Sequence, residues 1–293
     1  MRKKRCIMLM VCLLCALALL CVLLVPRQPG YKAPAALLQA AEKMQAYRLT
    51  LKLNDQDHTL SVTEEISFTN RTGQSLSDVQ LRLWANAYAT RETSPAASDE
   101  LFDACYPNGF SEGYVALHDV QWNGEMMPHR FLDDAGTVLS VSVPDISPGQ
   151  AGTLRVRCVV QLPNCAHRTG YAEGTYLLGQ ALPVLSVFEN GAWRQDAYSP
   201  VGDPFYTECA NYTLSLHLPK GYTPACSLPL VEEKEGVWTG SGLGIRDLGL
   251  VVGKDWETAA AGMDGVRILA YAKEGKSAAQ AVQYARKALS TYQ

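Results

Sequence analysis

Residues 191–219 read GAWRQDAYSPVGDPFYTECANYTLSLHLP, and this run decides the fold. Pro200, Gly202 and Pro204 fall at alternate positions. Neither a helix interior nor a central strand accepts that spacing, because each proline withholds a backbone N–H and fixes φ, so a fixed loop is expected. Trp193, Tyr198, Phe205 and Tyr206 lie in and around it, and large rings on an irregular segment are expected to bury it against a sheet. A strand follows. Tyr212, Leu214, Leu216 and Leu218 alternate with Thr213, Ser215 and His217, the period of two that puts one face in a core.

The same period governs most of what lies upstream. Arg48 to Asn54 and Thr59 to Asn70 are separated by Asn54-Asp55-Gln56-Asp57, which suggests a hairpin. In the second run Leu60, Val62, Ile66 and Phe68 share a face with Glu64 among them. A carboxylate there is expected at a sheet edge or in a structural salt bridge. Val79, Leu81 and Leu83 form another strand, and Leu117 to Trp122 followed by Asn123-Gly124 is the strongest hairpin signal of the chain. Thr137 to Val143 and Gly152 to Leu162 flank the turn Ser147-Pro148-Gly149. Residues 87–116 have no period and read as a long surface excursion, and Gly240-Ser241-Gly242-Leu243-Gly244 as a flexible hairpin connection. Turn signals about every ten residues point to an all-β fold, an antiparallel β-sandwich or open saddle-like barrel. Helical spacing returns at the end, where Ala278, Ala281, Val282, Ala285, Leu289 and Tyr292 form one stripe. Leu37, Leu38, Ala41 and Met44 predict a short stalk helix after Pro34.

The first 26 residues differ in kind. Arg2, Lys3, Lys4 and Arg5 precede an apolar run from Cys6 to Val25 that is long enough for a transmembrane helix. The charge bias keeps the N-terminus cytoplasmic and sends the bulk of the chain out of the cytoplasm, a single-pass signal anchor in the cell membrane. A cleaved signal peptide is the alternative, with a shorter apolar core expected for it. Five cysteines lie outside the run, Cys105, Cys158, Cys165, Cys209 and Cys226. Their number is odd, their pairing cannot be deduced, and no two are spaced C-x-x-C, so they do not read as a metal site. A net charge of −3 offers no basic surface for a phosphate backbone, which argues against nucleic acid as a partner.

The order Trp193, Tyr198, Gly202-Asp203-Pro204-Phe205-Tyr206, Asn211-Tyr212 and Leu218-Pro219-Lys220-Gly221-Tyr222 resembles the N-terminal β domain of the membrane alanyl aminopeptidase family, which are zinc metallopeptidases. Tyr47-Arg48-Leu49-Thr50-Leu51, Leu60 to Asn70, Leu81 to Asn86 and the turn at Asp145 to Gly149 fall in the same order, so the resemblance runs from about Tyr47 to Tyr292. It implies the β domain at 47–272 and at 273–293 the start of a helix leading toward a catalytic domain, following the signal anchor at 1–26 and the tether and stalk at 27–46 expected from the apolar run and the helical spacing.

The family's H-E-x-x-H zinc motif is absent: His58, His118, His129, His167 and His217 are never four apart. The family's G-A-M-E-N loop is absent as well. Zinc is therefore expected in a catalytic domain that this chain lacks, with no cofactor and no catalytic residue of its own, and the chain alone is expected to be inactive. Tyr176-Leu177-Leu178-Gly179-Gln180-Ala181 resembles the segment from which the family's β domain reaches toward the free amine of a peptide substrate, which implies substrate contact at Gln180 and Ala181. The longer acidic ending of that segment is not clearly present. The resemblance implies a non-catalytic substrate-cleft domain. The alternatives are a non-enzymatic cell-surface β-sandwich binding module and a transporter-associated extracellular domain. Asn70-Arg71-Thr72 and Asn211-Tyr212-Thr213 also fit the glycosylation pattern.

Overall fold

A computed structural model describes residues 33–96, 98–200, 202 and 205–292. The expected membrane helix and the start of the tether lie outside the described residues, among which no helix is long and apolar enough to cross a membrane. The chain divides into a unit of Pro34–Trp256 and a unit that includes Glu257–Gln293.

In the first unit, helix α1 (Ala35–Glu42) is followed by β1 (Ala46–Asn54), β2 (Thr59–Thr69) and β3 (Leu76–Arg82). A 3-10 turn (Trp84–Tyr88) and helix α2 (Asp99–Cys105) precede β4 (Tyr114–Trp122), β5 (Glu125–Met126), β6 (His129–Phe131), β7 (Val138–Ile146) and β8 (Ala151–Gln161). Then come β9 (Thr169–Ala172), β10 (Thr175–Leu178), β11 (Val184–Leu185), β12 (Phe188–Glu189) and β13 (Ala192–Trp193). The last five strands are β14 (Ala210–His217), β15 (Thr223–Cys226), β16 (Leu230–Lys234), β17 (Val237–Ile245) and β18 (Leu250–Gly253).

One eight-stranded sheet runs β16-β17-β14-β1-β2-β8-β4-β5, and two four-stranded sheets run β15-β18-β10-β9 and β11-β3-β7-β6. The large sheet buries alternate residues, as Leu49, Leu51 and Leu53 do in β1, while their neighbours Arg48, Thr50 and Lys52 face solvent. Side chains of the smaller sheets, among them Val79, Leu139, Val141, Leu178 and Val252, join the same core cluster. The result is the expected sandwich. Each fully buried leucine stabilises it by about 1.5–3 kcal/mol relative to exposure.

Four local expectations need correction. The pairing is not antiparallel throughout: β1 and β14 run parallel, with Leu49 opposite Leu214, because the connection between them passes through the smaller sheets. The excursion at 87–116 is not structureless. It carries α2, N-capped by Ser98 accepting from the Leu101 N–H, and its Phe102, Cys105 and Tyr106 form a second core cluster with Tyr88 and Cys165. The glycine run at 240–244 is not a hairpin connection but the body of β17, paired with β14 on one side and with β16 on the other. A Cβ at Gly240 would lie 2.4 Å from the Pro229 carbonyl oxygen, and one at Gly242 2.7 Å from Leu228 Cδ2, so the strand passes where only hydrogen fits. Tyr206 of the 191–219 run is 52% exposed rather than buried.

The other described rings and the strand of that run behave as expected. Phe205 sits edge-on to Trp84 at 5.0 Å, Trp193 packs against Phe68 and Phe188, and β14 buries Tyr212, Leu214 and Leu216. Asn123 (φ 52°) and Gly124 (φ 89°) make the tight β4–β5 turn.

In the second unit, β19 (Glu257–Met263) and β20 (Val266–Ala272) form a hairpin that packs on α3 (Ala278–Tyr292). Only Ala278 and Val282 of the expected apolar stripe are buried, and Tyr292 is 90% exposed. The Glu257 carboxylate accepts from the Ala278 N–H at the helix start.

Candidate functional site

Glu64 lies halfway along β2, opposite Leu49 of β1 and Val156 of β8. Both neighbours continue past it, so it is at no edge, and its side chain points into the core with 1% exposure. Its Oε2 has no hydrogen-bond partner among the described residues. The expectation of an edge position or a structural salt bridge is thus overturned: β2 is central, and its hydrophobic face includes one acidic residue. Desolvation pushes the carboxyl well above the usual carboxylate range, because the interior stabilises the neutral form. That neutral carboxyl is a hydrogen-bond donor as well as an acceptor.

Opposite Glu64 stands the turn after β10. Gln180 adopts φ 61°, a left-handed conformation that a side chain with a Cβ rarely takes. The turn is held from below: the Gly179 N–H donates to the Arg168 carbonyl at 2.9 Å, and Thr169 Oγ1 donates to the Gly179 carbonyl at 2.6 Å. Gln180 is half-buried and Ala181 is 1% exposed. Both line a small cavity with Glu64, Tyr212 and Asp247. Its enclosed space is about 20 Å³, room for one water molecule.

Two further cavities continue along the segment that follows Gln180. The next shares Val184 and Tyr212 with the first and adds Tyr47, Ser186 and Cys209. The last, about 100 Å³, is lined by Phe68, Arg71, Ser186 and Trp193. Tyr47 and Tyr212 stack at 4.8 Å between β1 and β14, and the Tyr47 hydroxyl accepts from the Leu185 N–H at 3.1 Å. Burial raises the pKa of both phenols, so both remain neutral. Ser186 Oγ and Trp193 Nε1 are buried without a partner among the described residues. The arrangement is a row of polar atoms sunk in an apolar interlayer, suited to holding hydrogen-bonding groups and small enough to exclude bulk water.

The histidines are placed apart. His58 stacks on Tyr171 at 3.6 Å and meets the Tyr176 hydroxyl at 2.8 Å, His167 meets the Tyr88 hydroxyl at 2.9 Å, and His217 meets Ser215. Among the described residues no three of His, Cys, Asp or Glu come together in a way that could hold a metal ion. The side chains of the described residues do not fit zinc.

The two glycosylation patterns serve the fold. Asn70 is fully buried: its Nδ2 donates to the Ile146 and Gln74 carbonyls and its Oδ1 accepts from Thr72. Asn211 donates to the Ala41 carbonyl at 2.7 Å and accepts from the Gly244 N–H at 3.0 Å, which ties α1 to β17.

The sequence singles out Gln180 by resemblance alone and is silent on its setting. The one available signal was Glu64 on an otherwise apolar strand face, and that signal reveals neither the centrality of β2 nor the cavity.

No protein-family model matches the chain, and no curated protein sequence matches it. Among solved structures it is similar to the M1 zinc metallopeptidase from Deinococcus radiodurans, with 16% identity and a TM-score of 0.44 over 80% of this chain. It is also similar to yeast LTA4 hydrolase in complex with bestatin, with 11% identity and a TM-score of 0.40 over 78% of this chain. The chain spans 51% of the length of the first and 34% of the second.

Proposed function

We propose that Pro34–Trp256 is the substrate-cleft domain of a membrane-anchored zinc aminopeptidase-like protein, non-catalytic by itself, with the metal and its chemistry supplied by a separate H-E-x-x-H domain. The observation that carries the reading is the placement of Gln180. The residue that the family resemblance selects stands on a left-handed turn whose neighbouring carbonyl and N–H are tied down, with a buried carboxyl behind it. Such a turn offers a side-chain amide in a fixed place. Its carbonyl oxygen accepts a hydrogen bond from the ammonium of a peptide N-terminus, less strongly than a carboxylate would. Ala181, buried beneath, lets the turn lie close to the core. The domain would position the substrate's first residue, and the apolar run Cys6 to Val25 would hold it at the outer face of the membrane.

The test is to express the chain joined to an H-E-x-x-H domain in its own reading frame and to measure zinc content and hydrolysis of aminoacyl-p-nitroanilides. The expected result is one zinc per chain and a Q180A variant with raised KM and retained kcat. The 293-residue chain alone is expected to bind no stoichiometric zinc. A joined product that neither binds zinc nor hydrolyses would overturn the reading in favour of a cell-surface binding module.

A further inference from the structure

We propose that Cys105 and Cys165 form a disulfide that staples the 87–116 excursion to the body of the sandwich. Cys105 is the last residue of α2, and Cys165 lies in the loop between β8 and β9. Three hydrogen bonds fix the two segments side by side. The Ala166 N–H donates to the Cys105 carbonyl at 2.8 Å, Asn108 Nδ2 donates to Asn164 Oδ1 at 3.0 Å, and the Asn164 N–H donates to Ser111 Oγ at 2.8 Å. The first of these joins Cys105 directly to the residue after Cys165, so the two cysteines sit on adjacent segments of backbone, the proximity that a disulfide requires. Both are free thiols in the structure and lie inside one apolar cluster, with 7% and 0% exposure. The other three cysteines lie elsewhere: Cys158 in mid-strand, Cys209 before β14, and Cys226 at the end of β15.

The bond needs an oxidant, which is a disulfide donor of the thiol-exchange class. One cysteine thiolate attacks a sulfur of the donor, expelling one donor thiolate and forming a mixed disulfide. The second cysteine thiolate then attacks the protein sulfur of that intermediate and expels the other donor thiolate. The two cysteine thiols lose two electrons and two protons, and the donor disulfide becomes two thiols. Burial pushes the Cys165 thiol up to about 12 and raises Cys105 as well, so the folded reduced pair is a slow nucleophile and the exchange belongs to folding, before the cluster closes. The same burial shields the finished bond from reductants.

The test refolds the full chain with glutathione disulfide and reduced glutathione, alkylates remaining thiols under denaturing conditions without reductant, and maps the peptides by mass spectrometry. This readout does not depend on the proposed peptidase role. The expected product joins the Cys105 and Cys165 peptides, two hydrogens lighter than the separate thiol peptides, with Cys158, Cys209 and Cys226 alkylated. A C209S/C226S variant should keep the link. Reduction should lower Tm by on the order of 10 °C, given the long loop the bond closes. Alkylation of both Cys105 and Cys165 in the refolded protein, or a link from either to another cysteine, would overturn the assignment. An unchanged Tm on reduction would overturn the stapling role.

Discussion

Glu64 of β2 and Gln180 of the turn after β10 face the same water-sized cavity, one from the large sheet and one from a smaller sheet's turn. A carboxyl in that position is retained against its own desolvation cost. Its neutral form is favoured in the fold and its ionised form in the unfolded chain.

A pH dependence of stability follows from that difference. The folded-state pKa of Glu64 is raised, so the unfolded chain releases this proton first. The contribution of Glu64 is therefore complete below the unfolded value of about 4.3 and is lost as pH rises toward the folded value. E64Q keeps the shape and cannot ionise. Urea unfolding should show E64Q equal to the parent near pH 4 and more stable at pH 7 by about 1–3 kcal/mol. Equal stability at both pH values would mean that the fold leaves the Glu64 pKa unshifted, and a less stable E64Q at pH 7 that Glu64 is ionised and paired.

His167 works in the opposite direction. Burial, and then the adjacent Arg168 charge, lower its pKa, and its Nδ1 meets the Tyr88 hydroxyl. A lowered folded value means that the stability His167 contributes is present above the unfolded value of about 6.5 and is lost as pH falls through the folded one. H167Q should flatten the acid side of the stability profile below pH 6.5 and leave the alkaline side unchanged, as followed by thermal melts across pH 4–8.

These two groups mark how far the sequence can be read. The strands of β1, β2 and β14 are legible because alternation is local: Leu214 and Leu216 announce a buried face without knowledge of a partner. Gln180 is singled out only by its place in an ordered set of motifs. What the strands pair with is not local. Nothing in residues 46–54 or 210–217 states that they lie parallel, and nothing in Glu64 states that β8 covers the strand's other side. The glycine run misleads for a related reason. A glycine shows only that the backbone needs room, and at Gly240 the claim on that room is made by Pro229, the residue just before β16.

That close approach can be measured. G240A places a methyl 2.4 Å from the Pro229 carbonyl oxygen, so β16 and β17 must separate or shift register. The expected cost is about 1–3 kcal/mol. G249A is the control, because a Cβ there meets nothing within 4 Å. Differential scanning calorimetry should lower Tm for the first and leave the second near the parent.

Asn70 offers a test of which polar groups the fold requires. Its side chain joins the end of β2 to the end of β7 through the Ile146 carbonyl at 2.7 Å, with no exposure. N70A leaves that carbonyl and the Gln74 carbonyl with lost donors, and the expected destabilisation is about 3 kcal/mol. The buried amide is also closed to glycan transfer in the folded chain, so protein from a glycosylating host should show residue 70 unmodified by peptide mapping.

The turn at Gln180 separates conformation from contact. A residue with a Cβ in the left-handed region costs about 1 kcal/mol relative to glycine, because the Cβ crowds the following carbonyl. Gln180 holds φ 61° despite that cost. Q180G should therefore fold at least as stably as the parent, with a gain of about 1 kcal/mol by urea unfolding, whereas Q180A should be no more stable than the parent. In the chain joined to an H-E-x-x-H domain, both variants lose the side-chain amide and should raise KM alike. The pair distinguishes two reasons for a glutamine at this position. If only the turn matters, Q180G keeps full activity, and KM follows the backbone. If the amide holds the substrate's ammonium, Q180G is the more stable protein and the poorer binder, and the strain is retained because the contact requires that residue in that place.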